Sequence, residues 1–217
     1  VYAKWNKGVL DSYLIEITAD IFGFKDPDSG KPLVDSILDT AGQKGTGKWT
    51  VDSATENGVA LTLIAEAVFS RCLSAQKDER VAASSLLAGP SVTRLTDREQ
   101  FISDVEMALY ASKIICYAQG YALMAAQAKA SKWELNNGGI ALMWRGGCTI
   151  RSAFLGKIKE AFDRNAKLVN LLVDFILDTA GQKGTGKWTV DSATENGVAL
   201  SLIAEAVFRR CLSAQKD

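Results

Sequence analysis

A segment of 46 residues occurs twice in this chain: Leu33–Asp78 returns at Leu172–Asp217, shifted by 139 positions. Only three of its positions differ, Ser36 becoming Phe175, Thr62 becoming Ser201 and Ser70 becoming Arg209. Self-similarity on this scale governs the fold before any local propensity does, because the same apolar stripe must be buried twice. Physics alone does not demand such identity. Exposed helix positions tolerate most substitutions within about 0.5 kcal/mol, so agreement at residues such as Lys48, Glu56 and Gln76 records a duplication, natural or engineered.

Hydrophobic periodicity predicts helix throughout and an all-α, multi-helix bundle. Leu10, Tyr13, Leu14, Ile17 and Ile21 recur at helical spacing, which predicts an amphipathic helix over 7–22. A turn cluster with Pro27, Asp28 and Gly30 follows. Leu61, Ile64, Val68 and Cys72 form one stripe of a helix over Val59–Ala75, with Arg71 one position off it. Ser36–Ala41 reads as the end of a short helix. The longest helix is expected over Asp97–Ala130, a break at Asn136–Gly139, and a further helix over Ala153–Asp163. Nothing alternates with period two for long enough to make a strand.

The charge balance is 25 basic to 25 acidic residues, so no net field favours nucleic acid or an anionic membrane. Histidine is absent, which removes the commonest general base and metal ligand, and no metal is expected. Cys72, Cys116, Cys148 and Cys211 form no C-x-x-C pair and read as reduced thiols of a cytoplasmic protein. The most apolar stretch, Gly58–Phe69, is too short to span a bilayer.

Chemistry concentrates in I-L-D-T-A-G-Q-K-G-T-G-K-W-T, which begins at Ile37 and, in the copy, at Ile176. Gly42, Gly45 and Gly47 permit close backbone approach to a ligand. Lys44 and Lys48 bring charge, Gln43 and Thr46 bring hydrogen-bonding groups, and Trp49 is expected as an apolar anchor. Gly42–Lys48 fits the spacing of a P-loop, but Trp49 stands where a magnesium-binding hydroxyl belongs and no strand precedes. A solvated connection between helices is the alternative.

The same string resembles the signature of the 6-phosphogluconate dehydrogenase family. W-N-K-G-V-L-D-S-Y-L-I-E-I-T at Trp5–Thr18, A-E-A-V-F-S-R-C-L-S at Ala65–Ser74 and N-N-G-G-I-A-L-M-W-R-G-G-C-T-I-R-S at Asn136–Ser152 resemble it too, in order, to about residue 175. The resemblance implies the all-helical substrate and dimerisation domain of an NADP-dependent enzyme that oxidises and decarboxylates 6-phosphogluconate to ribulose 5-phosphate. It implies domains 1–171 and 172–217, the second a copy packed as helix–loop–helix against the first and presenting Leu200, Ile203, Val207 and Cys211. The family's Rossmann domain, its catalytic lysine and glutamate, and its C-terminal arginine and histidine match nothing here, so no catalytic residue and no bound NADP are expected on this chain.

Carried over residue by residue, the resemblance assigns Lys44, Thr46 and Arg71 to the phosphate end of 6-phosphogluconate, expected as a weak, partial site. An ammonium, a hydroxyl and a guanidinium fork suit a phosphate. Alternatively, Arg71 pairs with an acid and Lys44 stands in solvent. Lys183, Thr185 and Arg210 repeat the trio where the family places other helices, so no role transfers to them. Trp144, Arg145 and Arg151 could hold an anion, though a packing role with internal pairing fits better. Glu16 and Glu66 read as helix-boundary carboxylates rather than an acid/base pair. A homodimer, possibly exchanged through the duplicated segment, is the expected assembly. A non-catalytic helical interaction module is the alternative to an enzyme domain.

Without cofactor fingerprint or acid/base pair, the purified chain should form no NADPH from 6-phosphogluconate and NADP. Spectrophotometric turnover near that of an ordinary metabolic enzyme would contradict this.

Overall fold

The computed structural model describes residues 1–91, 96–164 and 184–215. In chain order the helices are α1 (Tyr2–Trp5), α2 (Tyr13–Gly23), α3 (Thr46–Asn57), α4 (Thr62–Ala75), α5 (Lys77–Leu86), α6 (Arg98–Ser131), α7 (Asn137–Trp144), α8 (Phe154–Arg164), α9 (Thr185–Asn196) and α10 (Ser201–Ser213), with a 3-10 turn at Leu33–Ser36. Among the described residues there is no strand, only the isolated bridges Ser12–Ser152 and Lys25–Pro32. The chain forms two compact units, one of residues 1–38, 94–113 and 135–168, the other of 39–93, 114–134 and 169–217. The expected boundary at 171/172 lies outside the described residues.

In the first unit α1 packs on α2 and α7 on α8. Trp5, Leu10 and Ile15 are buried there, with Ile102 and Leu109 against them. The helix expected over 7–22 begins only at Tyr13. Tertiary hydrogen bonds explain the delay: Tyr13 N–H donates to the Arg151 carbonyl at 3.1 Å and Ala153 N–H to that of Asp11 at 3.1 Å. They hold Ser12 extended, at φ −168°. The break expected at Asn136–Gly139 falls earlier. Lys132 adopts φ 57° and Trp133 N–H returns to the Ala128 carbonyl at 2.8 Å, a left-handed helix stop. Asn136 then starts α7 by accepting from Gly139 N–H at 2.8 Å. The helix expected to finish at Ser36–Ala41 amounts to the 3-10 turn at Leu33–Ser36.

The second unit contains the first copy from Asp39 onward and the described part of the second, and they meet face to face. Helix α3 packs on α9 and α4 on α10. Val51, Ala54, Ala65 and Phe69 share one core with Val190, Ala193, Ala204 and Phe208. Of the expected stripe on α4, Leu61, Val68 and Cys72 are buried and Ile64 packs against the core from its edge. The polar contacts are reciprocal. Thr55 Oγ1 donates to Asp191 Oδ1 at 3.0 Å, and Thr194 Oγ1 to Asp52 Oδ1 at 2.9 Å. Gln76 Nε2 donates to the Gly197 carbonyl and Gln215 Nε2 to that of Gly58, both at 3.3 Å. Each pair maps onto the other under the 139-residue shift, so the copies form a self-complementary pair within one chain.

Gly47 lies where α3 crosses α4: a Cβ there would stand 2.9 Å from Val68 Cγ2. Overpacking of this kind costs about 1–3 kcal/mol, against roughly 1 kcal/mol of helix propensity gained. Gly47→Ala should therefore destabilise by about 1 kcal/mol in urea denaturation, and the cost should vanish in a Val68→Ala background. An equal cost in both backgrounds would show that the steric account is wrong.

Candidate functional site

The glycine string divides into a loop, 37–45, and the first turn of α3. Gly45 caps the helix at φ 99°, a conformation that favours glycine. Gly42 keeps an ordinary φ with open space around it, and Gly47 serves helix packing. Of the three glycines read as ligand-approach positions, only Gly45 has the left-handed backbone. Nor is Trp49 an apolar anchor, being 66% exposed and lying beside Gly45. Residues 46–49 are helical because nothing after Gly45 interrupts a run ending at the left-handed cap Gly58.

Side chains of α4 and α5 hold the loop. Arg71 Nε donates to the Gly42 carbonyl at 3.1 Å, and Nη2 donates to the same oxygen. Ala41 N–H donates to Ser74 Oγ at 2.9 Å, and Gln43 Nε2 reaches Cys72 Sγ at 3.5 Å. Arg80 closes the turn. Its Nη1 meets Asp39 Oδ2 at 3.0 Å and its Nη2 donates to the Asp39 and Ser74 carbonyls, while Nε takes that of Leu73 at 3.1 Å. Lys77 Nζ adds a second cation 3.3 Å from Asp39. The Arg80 hydrogen bond first, and the Lys77 bond second, hold the Asp39 carboxyl below the usual carboxylate range. Nothing in the spacing of Arg80 singles it out, since its partners are backbone carbonyls that fold into reach.

Lys44, Thr46 and Arg71 are all exposed. Arg71 meets a backbone carbonyl and no carboxylate among the described residues, so the expected alternative of an acid partner does not hold. Lys44 stands in solvent. Lys48 is engaged by Asp52 at 2.5 Å, a bond that raises its pKa. The same bond recurs between Lys187 and Asp191 at 2.6 Å. Thr185 opens α9 after Gly184 at φ 100°, as Thr46 opens α3. Arg210 is exposed on α10, and Lys183 lies outside the described residues.

Arg151 Nη2 meets Glu16 Oε2 at 2.5 Å and lies 6.0 Å from the Tyr13 ring, so both charged groups are engaged with each other. Arg145 lies along Gly156, and Glu66 accepts weakly from Ser70 at 3.5 Å. Burial pushes the Cys72, Cys116 and Cys211 thiols up, which disfavours the nucleophilic thiolate. Among the described residues no cluster of His, Cys, Asp or Glu could hold a metal, and no helix is long and apolar enough to cross a membrane.

The sequence pattern of the 6-phosphogluconate dehydrogenase C-terminal domain matches residues 1–174 and, separately, 169–217. The chain belongs to this family. Decarboxylating 6-phosphogluconate dehydrogenase of Candida albicans is 56% identical over 95% of this chain and 41% of its own length. The Homo sapiens enzyme is 53% identical over 95% of this chain and 43% of its own. The solved structure of Plasmodium falciparum 6-phosphogluconate dehydrogenase, studied apo, with its cofactor NADP+ and with its substrate 6-phosphogluconate, gives a TM-score of 0.74 at 37% identity. That match covers 97% of this chain and 45% of that one. The chain thus spans about two-fifths of these relatives.

The clamp on Asp39 carries a pH signature. Its folded pKa lies below the unfolded value of about 3.9, so its stabilisation is present above that value and lost as pH falls through the folded one. Asp39→Asn should flatten acid unfolding in the window below about pH 4. Arg80→Ala should speed exchange of the Ala41 amide roughly tenfold at neutral pH, about one net hydrogen bond. Unchanged exchange would show that the loop holds without Arg80.

Proposed function

We propose that this chain is the substrate domain of an NADP-dependent 6-phosphogluconate dehydrogenase, and that Lys44, Thr46 and Arg71 bind the phosphate end of 6-phosphogluconate. Such an enzyme oxidises and decarboxylates its substrate to ribulose 5-phosphate in the pentose phosphate pathway. The observation that carries the assignment is the Arg71 fork on the Gly42 carbonyl, two residues before Lys44. Nε and one N–H of Nη2 are spent on that carbonyl. The end-on edge, Nη1 with the second N–H of Nη2, remains for two oxygens of a phosphate. Lys44 adds an exposed ammonium with no partner among the described residues. Thr46 adds a hydroxyl at the start of a 12-residue helix whose cap, Gly45, supplies no side chain to its first amides.

The glycine string does not form a dinucleotide loop: it runs into α3 with no strand before it among the described residues, and Gly47 is closed by Val68. The residues of this chain act by binding and orienting the substrate. A cytoplasmic homodimer goes with this function. Exchange of α9–α10 between chains could use the reciprocal Thr–Asp bonds already present within one.

Three contacts on an exposed surface recover little beyond the cost of association, so binding should be about millimolar. In calorimetric titration of 6-phosphogluconate, Arg71→Ala should weaken binding about tenfold to a hundredfold, and Lys44→Ala by less. Arg210→Ala should change nothing. Affinity that survives Arg71→Ala would place the phosphate elsewhere.

A further inference from the structure

The two copies are nearly identical in sequence, yet their outer faces meet different surroundings. On the first copy, residues 114–131 of α6 lie across α3 and the start of α4. Gln119 Oε1 accepts from the Leu63 and Ile64 amides at 3.2 and 3.3 Å, and its Nε2 donates to Thr62 Oγ1 at 2.9 Å. One side chain thus satisfies the open amides that begin α4. Two turns on, Gln127 Oε1 accepts from Asn57 Nδ2 at 3.0 Å. Between the two glutamines, Ala122, Leu123 and Ala126 are part-buried and pack against the core.

The second copy has no such cover among the described residues. Val59 is 3% exposed whereas its counterpart Val198 is 45% exposed. Leu63 and Ile64 are part-buried, but Leu202 and Ile203 are 84% and 50% exposed. No side chain among the described residues takes the Leu202 and Ile203 amides, and Asn196 Nδ2 turns back to the Ser192 carbonyl at 2.8 Å. A groove of about 640 Å³ lies open there, lined by Trp188, Ser192, Asn196, Val198 and Leu200 among others.

We propose that this face of α9 and α10 is a receptor for a partner helix that carries the pattern of α6. The pattern is a glutamine, alanine and leucine three and four residues on, alanine seven on and a second glutamine eight on. The first copy defines that occupant, since there Gln119 and Gln127 bond its residues directly while Ala122, Leu123 and Ala126 pack against the core that the two copies share. The face makes both demands of a helix groove, apolar side chains to cover and helix-end amides to cap. The chain's own α6 is already committed to the first copy. A second molecule could lend its α6 only by uncovering its own first copy, with no net gain in buried surface. The occupant is therefore a helix of that pattern other than the α6 of this chain or of a second copy.

The test uses a fluorescently labelled peptide of residues 114–131 added to the full chain and read by anisotropy. Saturable one-to-one binding at about micromolar concentration is expected. Ser192→Arg and Val198→Asp, both at exposed positions, should each weaken it roughly tenfold or more with the circular dichroism unchanged. A peptide with Leu123→Asp should fail to bind the unaltered chain, so the result does not hang on any one protein variant. Absence of saturable binding, or binding indifferent to both protein substitutions, overturns the proposal. Self-association that covers the face and excludes the peptide also overturns it, in favour of a second copy as occupant.

Discussion

The second unit depends on a pair of buried hydroxyl–carboxylate bonds. Thr55 and Thr194 are buried, and each reaches across to the aspartate of the other copy. A part-buried carboxylate is costly unless its oxygens are satisfied. Asp52 meets this by splitting its oxygens between Lys48 on its own helix and Thr194 opposite, and Asp191 does so with Lys187 and Thr55. Lysine and aspartate four residues apart supply half the solution locally. The other half exists only when the copies face each other in register. Ala54 and Ala193 keep the contact close, and Phe69 and Phe208 fill the space beside it.

That arrangement also fixes the candidate phosphate site. Once α4 is buried on the stripe of Ala65, Val68, Phe69 and Cys72, Arg71 must emerge at its edge and Ser74 one turn on. Both then meet the loop that leads into α3, and the close crossing at Gly47 brings that helix start beside them. Arg71, Ser74 and Arg80 hold the loop by its backbone, and Arg80 and Lys77 hold it by the Asp39 carboxylate. Lys44 and Thr46 are therefore presented from a fixed turn, although they themselves contact little. Such preorganisation is what a small anion site on an open surface requires.

Duplication makes interior and exterior unequal problems. The interior is solved by symmetry, because a face that packs on a near-copy of itself finds every apolar and polar group answered. The outer faces have no such guarantee, since the described residues contain one α6 and two surfaces of the kind it covers. Identical residues such as Val59 and Val198 consequently end in different environments.

Much was already decided by the sequence alone. Family, helical class, the long helix ending near Ala130 and the α4 stripe all follow from motif and period, because those signals are local and repeated. The internal duplicate announced that one stripe would be buried twice. Other features were decided by tertiary contacts. The late start of α2 depends on bonds to Arg151 and Ala153, the loop at 37–45 on Arg80, and the buried role of Gly47 on Val68. Trp49 and Asn136 illustrate the same limit, one exposed where its size suggested an anchor, the other a helix cap where its neighbours suggested a break. A residue's type sets what it can bond or bury, but its partners lie tens of residues away, and only the packed chain decides which of them arrive.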